Sequence, residues 1–161
     1  MKTLRVGRVT SSDRASAGVY EDISGPELEN CVNALFADHA RTWFRKLLPD
    51  EQDQIEAALI ELVDRDFCHL VITTGGTGPA QRDVTPEATR SVVQRELPGF
   101  GEILRARSFD LVSTSILSRA TAGIRGRCLI VNLPGRPTAV SECLGIIGDA
   151  IRKTLLILEK Q

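Results

Sequence analysis

His69-Leu70-Val71-Ile72-Thr73-Thr74-Gly75-Gly76-Thr77-Gly78-Pro79 is a short apolar run that ends in three glycines and a proline. Its first part is rich in β-branched residues, the signature of a strand buried on both faces. The glycines that follow permit a tight turn. Thr85-Pro86-Glu87 then reads as a helix start, with Thr as N-cap, Pro at the first helical position and an acid in the first turn. Strand, glycine turn and helix make the repeating unit of an α/β fold.

The same alternation extends in both directions. Leu4 to Thr10 reads as a strand and Ser11 to Gly18 as a polar loop. From Pro26 a helix is expected, with Leu28, Cys31, Val32, Leu35 and Phe36 on one face. Arg41 to Leu48 reads as a second strand, ended by Pro49-Asp50, and Gln52 to Asp66 as an amphipathic helix. Downstream, Gly99 to Ala122 reads as helix, turn and short helix. Cys128 to Leu133 is a further buried strand, closed by Pro134-Gly135, and Pro137 to Leu158 is the last helix. The expectation is one α/β domain over residues 1–161, with a mostly parallel sheet and helices on both faces. Ligands of such sheets bind beyond the carboxyl ends of the strands. The segments placed there are Ser11 to Gly18, Pro49-Asp50, Gly75 to Asp83 and Asn132 to Gly135.

Composition narrows the function. The 161 residues carry a net charge of −1, with 42% hydrophobic and 25% charged residues. Basic and acidic residues are interspersed, which argues against a nucleic-acid or anionic-membrane binder. No apolar run approaches the roughly 20 residues of a membrane span. Met1-Lys2-Thr3 runs straight into a strand-like segment without a secretion signal, so the expected compartment is the cytoplasm. Cys31, Cys68, Cys128 and Cys143 form no CxxC pair, and His39 and His69 lie far from one another, so the cysteines read as buried apolar residues rather than zinc ligands.

The glycine loop carries the strongest chemical signal. Gly75, Gly76 and Gly78 allow close backbone approach, and amide N–H groups followed by a helix N-terminus can cradle a phosphate. Thr74, Thr77, Arg82 and Asp83 add side chains that a plain turn does not need. The loop is neither a Walker loop nor a GxGxxG fingerprint. Asp50 and Asp83 both follow strand ends and can serve magnesium, which takes one or two carboxylates plus phosphate oxygens. Spacing alone leaves an alternative open: Asp50 as a helix cap, and Asp83 paired with Arg82. Ser11-Ser12-Asp13-Arg14 is either a hydroxyl-rich binding loop or an Asx-type turn. Asn132 with Pro134-Gly135 is either a ligand wall or a rigid turn. Ser118-Arg119 reads either as a contact or as a solvated face, and Trp43 reads as packing.

In order along the chain, Ser12-Asp13-Arg14-Ala15-Ser16-Ala17-Gly18-Val19-Tyr20, Leu48-Pro49-Asp50-Glu51, Gly75-Gly76-Thr77-Gly78-Pro79 with Arg82-Asp83-Val84-Thr85-Pro86-Glu87, Pro98-Gly99-Phe100-Gly101-Glu102, Leu117-Ser118-Arg119 and Asn132-Leu133-Pro134-Gly135 resemble the molybdenum cofactor biosynthesis proteins of the MogA and MoaB type. The first loop and the Pro49-Asp50 turn resemble the MogA branch, the molybdopterin adenylyltransferases. The resemblance implies a Rossmann-type three-layer domain, usually a homotrimer. It implies magnesium-dependent transfer of AMP from ATP to the terminal phosphate of molybdopterin, with release of pyrophosphate. It also implies transient contact with a molybdenum-insertion protein. Asp50 and Asp83 match the family's two catalytic aspartates and are the tentative magnesium ligands. Ser12, Asp13, Thr74, Gly75, Gly76, Thr77, Gly78, Pro79, Arg82, Ser118, Asn132, Pro134 and Gly135 match its binding segments. The competing reading is a non-catalytic molybdopterin-binding or scaffold protein of the MoaB branch. A dinucleotide-dependent oxidoreductase is disfavoured by the missing fingerprint.

Overall fold

A computed structural model describes residues 3–161. The reading of Met1-Lys2 as leading straight into a strand falls outside the described residues. Six strands form one sheet: β1 (Thr3–Ser11), β2 (Ala40–Leu48), β3 (Leu70–Thr74), β4 (Arg95–Glu96), β5 (Ala122–Arg125) and β6 (Cys128–Leu133). Their order is β2-β1-β3-β6-β5-β4. The first four in that order pair in parallel, while β6-β5 and β5-β4 are antiparallel. Six helices accompany them: α1 (Asp13–Ser16), α2 (Ser24–Leu35), α3 (Gln52–Ile60), α4 (Thr85–Val92), α5 (Gly99–Phe109) and α6 (Pro137–Glu159).

The period-2 pattern of the central strands divides the core in two. Leu4, Val6, Leu70, Ile72, Leu129, Val131 and Leu133 point to one face and pack with α2, α5 and α6. Val9, Val71, Cys128 and Ile130 point to the other and pack with α3 and α4. Alternation on a sheet covered on both faces requires apolar residues at every position, and all of β3 and β6 is buried. The expected mostly parallel three-layer architecture is therefore the observed one.

The departures have local causes. Helix α2 begins at Ser24, two residues before Pro26, because the Asp22 carboxylate accepts from Gly25 N–H (2.9 Å) and from Ser24 Oγ (3.2 Å). The helix expected over 52–66 is α-helical to Ile60 and finishes as a π-helical turn, Glu61–Arg65. The N-cap of α4 is Val84 rather than Thr85, which occupies the first helical position. After α5 comes a 3₁₀ turn, Ser113–Leu117, as expected, but β4 and β5 had no visible signal. β4 has two residues, and β5 contains Gly123, where a Cβ would press on Val93. Close packing on α4 rather than β propensity selects the residue there.

Candidate functional site

The four segments that follow the parallel strands meet at one edge of the sheet. Two clefts open there on either side of the glycine loop. One, about 400 Å³, is lined by Ser11, Ser12, Tyr20, Asp50, Gly75 and Gly76. The other, about 380 Å³, is lined by Thr77, Gly78, Pro79, Arg105, Ser118 and Pro134. Gly135 lines both.

Backbone crowding shapes the divide between them. Gly75 has φ +95°, and a Cβ there would run into the carbonyl oxygen of Ser11. Its N–H donates to Leu133 O (3.2 Å), and its Cα lies 3.2 Å from where a Gly135 Cβ would stand. The ends of β1, β3 and β6 thus converge on one residue that must be glycine. Thr74 Oγ1 donates to Pro134 O (2.7 Å), tying the two loops together. Beyond Gly75 the loop carbonyls are held from behind. Gly76 O accepts from Thr85 N–H (3.1 Å) and Thr77 O from Arg119 N–H (2.8 Å). Gly78 O accepts from Arg119 Nε (2.8 Å). No hydrogen bond among the described residues engages the N–H groups of Gly76, Thr77 or Gly78. Three successive free amides form the kind of concavity that binds anions.

Carboxylates flank this run. Asp50 lies beside Gly76, with Oδ1 3.1 Å from the Cβ position there; Asp83 lies beside Gly78, with Oδ2 2.8 Å from that residue's Cβ position. Asp50 does not cap α3, whose N-cap is Glu51 without a side-chain bond. It accepts from Ser11 Oγ (2.6 Å) and Asp13 N–H (3.0 Å), while its own N–H donates to Asp13 Oδ1 (2.9 Å). Nor does Arg82 pair with Asp83. It forks onto Asp13 (2.8 and 3.0 Å) and reaches Glu51 (2.9 Å), holding the loops after β1, β2 and β3 together. The Arg82 guanidinium and the Asp50 N–H hold the Asp13 carboxyl below the usual carboxylate range. The Asp83 carboxylate instead accepts from Ala80 N–H (2.9 Å) across the turn.

Among the described residues, no group of three or more His, Cys, Asp or Glu can hold a metal unaided. The donors at the loop are all hard oxygens: Asp50, Asp83 and Ser11 Oγ. That set fits a magnesium ion which arrives with phosphate oxygens and keeps several waters.

Other expected residues fall in different places. The Ser12 side chain caps α1 through Ala15 N–H (3.2 Å) and meets Tyr20 OH (2.8 Å) at the cleft mouth. Ser118 faces the second cleft. Asn132 lies within β6 and is fully buried. Its amide donates to Thr73 Oγ1 (3.0 Å) and Thr89 Oγ1 (2.8 Å) and accepts from Thr121 N–H (3.3 Å), so its polar atoms are spent inside the core.

For three residues at the site, the role was not legible in the sequence. Among the described residues Tyr20 is the sole aromatic lining either cleft, and Arg14 stacks on its ring at 5.1 Å. The fully buried hydroxyl of Thr85 packs beneath Gly76 without a partner among the described residues. Arg119, read as a contact or a solvated face, grips the glycine loop. It stands in an irregular stretch between a 3₁₀ turn and β5, where no periodicity signals a role.

Residues 7–153 match the sequence family described as a probable molybdopterin binding domain. The chain is 48% identical over 151 residues to a molybdopterin adenylyltransferase of Helicobacter pylori, covering 94% of this chain and 85% of that one. It is 53% identical over 150 residues to a molybdopterin adenylyltransferase of Escherichia coli, covering 93% and 76%. The crystal structure of the molybdopterin biosynthesis enzyme MoaB from Thermus thermophilus superposes with a TM-score of 0.86 at 35% identity, covering 98% of each chain.

Proposed function

The chain belongs to the molybdopterin-binding family of molybdenum cofactor biosynthesis proteins, and from that membership we propose that it is a molybdopterin adenylyltransferase that moves AMP from ATP to molybdopterin. The observation that carries this reading is the run of three free amides at Gly76–Gly78, flanked by Asp50 and Asp83 where two clefts meet. Two substrates joined through a phosphate need that plan. One cleft takes each, and the phosphates meet at the divide.

In the reaction, a terminal phosphate oxygen of molybdopterin forms a bond to the α-phosphorus of ATP, and the bond to the pyrophosphate oxygen breaks. Such a transfer needs alignment and charge stabilisation rather than a protein nucleophile. The amides of Gly76, Thr77 and Gly78 receive phosphate oxygens. Ser11 and the Asp13 N–H orient the Asp50 carboxylate, and Ala80 N–H orients that of Asp83. These two aspartates would hold magnesium. When bound, that ion neutralises charge developing on the phosphates.

The exposed apolar side chains Phe109, Leu111, Val112, Ile116 and Leu117 favour a subunit contact, in keeping with a homotrimer. Transfer of the product to a molybdenum-insertion protein belongs to the same reading. No helix of the described residues is long and apolar enough to cross a membrane. The four cysteines are free thiols, which suits the cytoplasm.

Incubation with molybdopterin, ATP and magnesium should yield adenylylated pterin and pyrophosphate; absence of both overturns the reading in favour of a pterin-binding scaffold. Asp83→Asn is expected to abolish turnover while molybdopterin still binds, and Asp50→Asn to remove the magnesium dependence of whatever turnover persists.

A further inference from the structure

We propose that Arg119 is a positioning residue of the nucleotide site, which orients the glycine loop so that its amides face the ligand. The inference rests on the adenylyl-transfer reading only for the identity of that ligand.

A trans peptide places its C=O and N–H on opposite sides. The backbone N–H of Arg119 holds the carbonyl of Thr77, so the N–H of Gly78, in the same peptide unit, is turned away from Arg119. The carbonyl of Gly76 is tied in the same manner to Thr85 N–H, which turns the Thr77 N–H outward. The Arg119 side chain extends this restraint. Its Nε donates to Gly78 O, and its terminal nitrogens reach Asp83 O and the Glu87 carboxylate. Pro79 contributes no N–H, so the Gly78 carbonyl is held by the guanidinium without directing a further amide.

One residue therefore fixes the carbonyls of Thr77 and Gly78 on the carboxyl side of the anion-binding run, and the backbone of Asp83 as well, while Thr85 holds the Gly76 end. The planar fork of arginine spans several acceptors at once, which the point charge of lysine does not. Glu87, in the first turn of α4, anchors the guanidinium on the side away from the loop. A loop with three glycines has little intrinsic preference for one conformation. An external clamp is the physical requirement for holding three amides in register on one ligand.

The test compares wild type, Arg119→Gln, Arg119→Lys and Glu87→Gln. Affinities for ATP and for inorganic pyrophosphate are measured by calorimetry, kcat and KM for ATP by turnover, and the Gly76, Thr77 and Gly78 amide resonances by NMR without ligand. We expect Arg119→Gln to weaken ATP and pyrophosphate binding about tenfold or more. KM should rise with it, the three amide resonances should shift, and the melting temperature should change little. Arg119→Lys should recover only part of the affinity, and Glu87→Gln should weaken it less than either. Unchanged affinities with unchanged amide resonances overturn the proposal. So does a loss of binding that follows the melting temperature across all three variants, which assigns Arg119 to general stability. If wild type binds neither ATP nor pyrophosphate, the adenylyl-transfer reading fails, and the amide resonances still decide whether Arg119 orients the loop.

Discussion

The parallel strands carry cavities at both ends, and size does not separate them as chemistry does. At the amino end a cavity of about 570 Å³ is lined by Cys68, His69, Gly126, Arg127, Cys128 and Leu158. It is larger than either cleft at the carboxyl end. Several of its backbone amides are paired: Cys68 N–H reaches Leu62 O, His69 N–H reaches Arg5 O, and Leu129 N–H reaches His69 O. Its reactive groups are quenched. Burial pushes the Cys68 thiol up to about 12 and the Cys128 thiol well above its ordinary value, so neither is a thiolate at neutral pH. At the carboxyl end the amides of Gly76–Gly78 are unpaired and the carboxylates are held in place. Unspent polar groups in a defined geometry, more than volume, mark the end where a ligand binds.

Glycine substitution separates the two ends most sharply. Gly75→Ala forces a Cβ against the Ser11 carbonyl at φ +95° and is expected to cost at least about 2 kcal/mol and to abolish turnover. Gly126→Ala, at the amino end, has φ +56° and open space around it. It should cost only about 1 kcal/mol and leave turnover intact. Urea unfolding beside the adenylylation assay measures both. Equal losses of activity in the two variants would dissolve the contrast between the ends.

A smaller effect tests where the carboxyl-end site stops. Asn132→Ala leaves Thr73 Oγ1, Thr89 Oγ1 and Thr121 N–H unpaired in the core, at about 2 kcal/mol of stability. KM for ATP should stay at the wild-type value. A raised KM with unchanged stability would place Asn132 on the ligand rather than under it.

That residue also shows what a sequence conceals. The strands around it were legible because an apolar β-branched run bounded by glycine and proline suits a buried strand and little else. The convergence of loops after β1, β2, β3 and β6 followed from parallel topology. The direction of a side chain within a strand end did not follow: Asn132 precedes Pro134-Gly135 like a loop residue, yet its position in β6 turns it inward. Arg82 was legible as a charged loop residue, but its partners Asp13 and Glu51 lie on other loops and its sequence neighbour Asp83 is not among them. Arg119 and β5 were hidden for a related reason. Their roles come from long-range hydrogen bonds and from packing against Val93, and neither leaves a periodic trace.

The smallest expected effect lies at the amino end and concerns pH. Burial lowers the His69 pKa from its ordinary 6.5, and Arg5 and Arg127 act in the same direction. Its Nδ1 accepts from Arg5 N–H (3.0 Å), a bond that requires the neutral ring. The unfolded chain therefore binds a proton more readily than the folded one. Stability due to neutral His69 is complete above about pH 6.5 and declines as pH falls toward the lowered folded value. His69→Gln removes this titration, so its unfolding free energy should vary less between pH 7 and pH 5 than that of wild type. Magnesium-dependent turnover at pH 7 should be the same in both, because the imidazole sits at the opposite end of the strands from the glycine loop. If His69→Gln instead changed turnover at constant stability, the amino-end cavity would have to be coupled to the site, and the separation between the two ends would be lost.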